Sequence, residues 1–92
     1  MEEDYTKAIE DVVNRVRSVI GEPAVTQADS VGIIMEVSED SVEVLDFEGS
    51  GKEAVSELYT NYKNLFGPPA RLICRRALEK YSDSIELPDE LS

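Results

Sequence analysis

The loop Glu48-Gly-Ser-Gly-Lys-Glu53 lies between a β-like run and a helical run, where a phosphate-cradling loop would sit. Such loops follow G-x-x-x-x-G-K-[ST], so that successive amides wrap the phosphates and a hydroxyl reaches magnesium. Here Asp46 replaces the first glycine and Glu53 replaces the hydroxyl residue, and two carboxylates would repel a phosphate. The same residues fit a capping box instead, in which the Ser50 hydroxyl and the Glu53 carboxylate satisfy amides at a helix start. Glu36, Glu39, Asp40, Glu43, Asp46 and Glu48 offer oxygen ligands for a hard cation, but they lack the ligand spacing of a calcium loop. They read as solvated charges that protect a sheet edge.

Other chemistry has few candidates. The chain has no His, which removes the commonest general base and metal ligand. Cys74 is the only cysteine, so neither an internal disulfide nor a four-ligand zinc cluster can form. It falls on an apolar helical stripe and reads as a buried, inert thiol. No nucleophile–base pair stands out, and the expectation is no enzyme, no cofactor and no metal.

Basic residues concentrate between Arg71 and Lys80, where Arg71, Arg75, Arg76 and Lys80 face only Glu79 in opposition. Arg71 and Arg75, like Arg76 and Lys80, are one helical turn apart, so they form two rows beside an apolar stripe. The strip could grip phosphates or dock on an acidic surface. The chain itself supplies such a surface: residues 29–57 carry nine acids against Lys52, a local charge of −8. Docking of the strip on the hairpin, within one chain or across a dimer, is the favoured reading. Nine Lys and Arg against 20 Asp and Glu leave a net charge of −11, which disfavours nucleic acid and anionic lipid. The expected partner is another protein or a second copy, with a nucleic-acid accessory role through Arg71–Lys80 as the alternative. The acidic surplus also suits a high-salt habitat, where ions screen repulsion among carboxylates.

The elements that must position these residues are legible from periodicity. Tyr5, Ala8, Ile9, Val12, Val13, Val16, Val19 and Ile20 line one face of a helix that Gly21 and Pro23 end. Its other face, with Lys7, Glu10, Asp11, Asn14, Arg15 and Ser18, reads as solvated. Residues 22–29 read as a connector with weak β character. Two alternating runs, Val31–Val37 and Ser41–Phe47, flank Glu39-Asp40 as a β-hairpin. Val37 should face Val42 and Met35 should face Val44, leaving Ile34, Leu45 and Phe47 on the other side. A hairpin apolar on both faces needs cover on both or a partner, which predicts a homodimer with a shared four-stranded sheet.

A second helix carries Ala54, Val55, Leu58, Tyr59, Tyr62, Leu65 and Phe66 on one face, as core or interface. Gly67-Pro68-Pro69 ends it and suits the first turn of a third helix, with Ala70, Ile73, Cys74, Ala77, Leu78 and Tyr81 inward. Residues 84–92 read as a short acidic tail, extended or frayed, after one acidic domain over residues 1–83. The fold class is α+β, ordered helix, hairpin, helix, helix. No apolar run approaches the roughly 18–20 residues that cross a bilayer. The start Met-Glu-Glu-Asp opposes the basic start of a signal peptide, so the expected location is cytoplasmic.

The segment Leu65-Phe-Gly-Pro-Pro-Ala-Arg-Leu-Ile-Cys-Arg-Arg-Ala77 resembles one in C-terminal regions of some bacterial serine/threonine kinases and related signalling proteins. Gly67, Pro68, Ala70, Arg71, Arg76 and Ala77 match that pattern, and Pro69 departs from it, since a bulky aliphatic is usual there. The resemblance covers this short stretch and includes no kinase domain. It implies an accessory or interaction module with no assigned chemistry.

Overall fold

A computed structural model describes residues 2–91 as an α+β fold of four helices and one antiparallel hairpin, in the order α-α-β-β-α-α. The helix α1 (Glu2–Ile20) is followed by α2 (Pro23–Ser30), β1 (Ile33–Val37), β2 (Val42–Phe47), α3 (Gly51–Phe66) and α4 (Pro69–Leu78). Short 3-10 turns lie at Glu79–Tyr81 and Asp89–Leu91. No described helix is long and apolar enough to cross a membrane.

The α1 stripe makes this helix the centre of the molecule. Ala8, Ile9, Val12, Val13 and Val16 are fully or almost fully buried, and α1 packs on β2, α2, α3 and α4. Several of these residues are β-branched and weak helix formers, so tertiary burial stabilises the helix more than propensity does. Val19 departs from the expected stripe and is exposed.

The first correction is α2, a helix where the sequence suggested a connector with β character. Gly21 adopts a positive φ of 80° and ends α1, and Pro23 occupies the first turn of α2, where its missing amide costs no hydrogen bond. Ala24 and Ala28, one turn apart, then bury against the core. Tyr62 of α3 donates a buried 2.8 Å hydrogen bond to the Ala24 carbonyl, tying the two helices. The strand then begins at Ile33 rather than Val31.

The hairpin pairs Val37 with Val42 and Met35 with Val44, as the alternation requires. The turn at Glu39-Asp40 lacks glycine and uses no positive φ; the Ser38 hydroxyl instead accepts from the Ser41 amide at 3.2 Å. A bulge then intervenes: Ile34 pairs with Asp46, leaving Leu45 as the extra residue. The slip inverts the remainder of β2, because side chains alternate across a strand and one added residue exchanges the faces. Phe47 therefore turns inward.

The second half obeys its punctuation closely. The Ser50 hydroxyl caps α3 by accepting from the Glu53 amide at 3.1 Å, although it also donates to the Glu53 carboxylate, so the reciprocal half of the box is not made to backbone. Gly51 is buried and a side chain there would overlap the Tyr5 ring, so this glycine serves close helix approach. Gly67, at φ 84°, ends α3, and Pro69 opens α4. Tyr59, Tyr62, Cys74 and Leu78 are buried in the same core.

Residues 84–91, expected to be extended or frayed, are docked. Ile85, Pro88 and Leu91 are buried. Tyr5 Oη accepts from the Glu86 amide at 2.9 Å, and Lys52 Nζ lies 3.2 Å from the Glu86 carboxylate. Three apolar anchors inside an acidic segment outweigh its charge.

Candidate interaction surfaces

A two-stranded sheet has two outer edges, and each carries backbone donors and acceptors that need partners. The outer edge of β2 is closed by α1. The Asn14 amide accepts from the Val42 amide at 2.8 Å and donates to the Val42 carbonyl at 2.9 Å. One turn earlier, a Glu10 carboxylate oxygen accepts from the Val44 amide at 2.9 Å. These two side chains lay on the face expected to be solvated; i, i+4 spacing lets them match alternate residues of a strand.

The outer edge of β1 is different. In an antiparallel pair, a residue's backbone groups point toward the partner strand or away from it, together with those of the residue opposite. Val42 and Val44 turn theirs to α1, so Val37 and Met35 turn theirs outward on the other side. Among the alternate residues that share one face of this strand, exposure increases from buried Ile33 through half-buried Met35 to exposed Val37. Val37 is 45% exposed, and on the outer face Ile34 is 52% and Leu45 49% exposed. Of the three hairpin residues singled out from sequence, Ile34 and Leu45 thus share an exposed surface. Phe47 does not: it is 8% exposed and packs edge-on against Tyr5, with ring centroids 6.3 Å apart.

The basic strip lies on α4, which packs on α1 and α3, whereas the hairpin packs on α1 and α2. Its cations have divided roles. Lys80 Nζ sits 2.9 Å from Asp11 Oδ2 and 5.4 Å from the Tyr81 ring centroid, and Tyr81 Oη donates to the same Asp11 oxygen at 2.7 Å. Burial first, and then that hydrogen bond, push the Tyr81 hydroxyl up to about 12. Arg71 donates to the Glu90 carbonyl at 3.1 Å and fastens the C-terminal segment. Arg75 and Arg76 pair with no described residue.

Arg76 lies at the meeting point of three adjoining depressions. One holds Arg15, Lys80 and Asp11 with it, one holds Arg75 and Leu72, and the third holds Arg15, Val19 and Leu72. Arg15 and Val19 join this site although the sequence alone does not single them out. The available signal was their i, i+4 spacing on α1, which Leu72 and Arg76 repeat on α4.

Cys74 is buried, and burial pushes its thiol up to about 12, which suppresses nucleophilicity. Among the described residues no three His, Cys, Asp or Glu side chains gather as a cation site. No protein-family model, curated protein or solved structure matches the chain.

Proposed function

We propose that the chain is a non-catalytic protein–protein interaction domain, a regulatory or adaptor module that self-associates as a homodimer through β1. The observation that carries this reading is the asymmetry of the sheet: Glu10 and Asn14 seal β2, while the outward groups of Met35 and Val37 stay open beside exposed apolar side chains. Two-stranded sheets are marginal in water, and antiparallel pairing of two β1 strands makes a four-stranded sheet. Pairing centred on Met35 sets Ile34 opposite the second copy's Glu36, so the like-charged Glu36 residues are not directly apposed. It also sets Val37 opposite Ile33 of the second copy, covering an exposed valine.

A charge of −11 on each copy opposes association, and screening relieves that repulsion. Light scattering after size exclusion, over a range of protein and sodium chloride concentrations, tests the reading. A mass near twice 10.2 kDa that is favoured by salt is the expected result. A concentration-independent monomer at every salt would overturn it.

A further inference from the structure

We propose that the cleft between α1 and α4 docks an acidic, apolar-anchored helical segment of another protein. Its carboxylates meet Arg15 and Arg76, and an apolar side chain seats on Val19 and Leu72.

The first support is charge. With 20 acids for nine bases, each cation has many potential partners within the chain. Lys7, Arg17, Lys52 and Lys80 do form ion pairs, and Arg71 holds a backbone carbonyl. The side chains of Arg15, Lys63, Arg75 and Arg76 pair with no described residue, and of these Arg15 and Arg76 line the α1–α4 cleft, with Arg75 in the depression that adjoins it. Their planar guanidinium forks suit carboxylates.

The second support is apolar exposure. Val19 is 61% exposed and Leu72 54%, the two highest values among the exposed large apolar side chains of the described residues, and both line the same depression with Arg15 and Arg76. On each helix the apolar residue and the arginine are one turn apart, so the cleft repeats an apolar–cationic pattern along its length. An amphipathic helix with apolar anchors and flanking Glu complements it.

The acids in the cleft do not cancel this field. Asp11 is engaged by Lys80 and Tyr81, leaving Glu79 as the carboxylate that a ligand must pass. A protein segment suits the site better than nucleic acid, because Val19 and Leu72 reward an apolar anchor while a long polyanion would meet the remaining acidic surface. The cleft uses no residue of β1, so this proposal stands or falls separately from the dimer.

The test uses the full chain labelled with nitrogen-15. The probe is a synthetic helical peptide of about 18 residues, roughly five turns, with Leu at every third or fourth position and Glu beside each. Comparisons are the same peptide with Gln for Glu, and a short DNA duplex. The Glu peptide should shift the amides of Arg15, Val19, Leu72 and Arg76, and bind about tenfold more tightly than the Gln peptide, a difference of about 1.4 kcal/mol. Arg15→Gln with Arg76→Gln should lower that affinity about tenfold with an unchanged circular dichroism spectrum, and Glu79→Gln should raise it. If the double variant misfolds, loss of wild-type affinity with added salt serves in its place. No shifts in the cleft, equal binding of the Gln peptide, or tighter binding of the duplex would each overturn the proposal.

Discussion

Asn14 grips both backbone groups of Val42, so one side chain on α1 satisfies that residue on an edge of β2 that has no neighbouring strand. The contact positions α1 along the sheet and stops β2 from recruiting another chain. Asn14→Leu should leave the Val42 amide and carbonyl unsatisfied at a half-buried site, costing about 1–3 kcal/mol. Urea unfolding would read this as a lower midpoint with an unchanged slope. The reopened edge should also make the variant more prone to aggregate.

Gly49, in the loop before α3, and Gly51, the first residue of that helix, put glycine to two different uses. A Cβ at Gly51 would collide with the Tyr5 ring, so Gly51→Ala should cost about 1–3 kcal/mol through overpacking. Gly49 has open space around it but a φ of 72°, so Gly49→Ala pays only the left-handed backbone cost of about 1 kcal/mol. Shrinking Tyr5 to Leu should recover part of the Gly51→Ala loss and none of the Gly49→Ala loss. Thermal unfolding of the single and double variants would show whether that coupling exists.

Phe47 and Leu45 test the bulge. With Phe47 in the core and Leu45 outside, Phe47→Ala should destabilise by about 3–5 kcal/mol, and Leu45→Ser should leave stability within about 0.5 kcal/mol. Regular alternation would give both residues similar, small effects. Chemical denaturation of the two variants decides between these patterns.

Cys74 gives the protein a predictable alkaline weakness. Its thiol ionises near 9.0 when exposed but only near 12 when folded, because burial penalises the thiolate. The folded state therefore binds more protons between these values. Its stability should be complete below pH 9 and fall above it, by up to about 1.4 kcal/mol per pH unit for this group. Cys74→Ala should make that decline shallower. At pH 8 the native protein should react with a thiol reagent only as fast as it unfolds.

The α1 stripe, the α3 cap, the Gly67–Pro69 break and the pairing of Met35 with Val44 were all legible in the sequence, because each stems from local periodicity or backbone chemistry. The helix α2 was not: its eight residues carry a weak apolar signal, and Pro23 reads equally well as a terminator of α1 or an opener of α2. Phe47 was misplaced because nothing in Val44-Leu45-Asp46 marks an extra residue. Burying the Phe47 ring against Tyr5 rewards the slip. The open edge of β1 depends on what Asn14 and Glu10 reach in space, and the cleft depends on how α1 crosses α4. Neither is a property of one segment.

Amide hydrogen exchange at Met35 and Val37 reports on the β1 edge itself, since assembly through β1 must engage those two amides. At a protein and salt concentration where light scattering gives a dimer, both should exchange at least about tenfold more slowly than in dilute, low-salt solution, while the exposed Glu39 and Asp40 amides stay fast. A dimer in which Met35 and Val37 exchange as freely as in the monomer would contradict the account and place self-association on another surface.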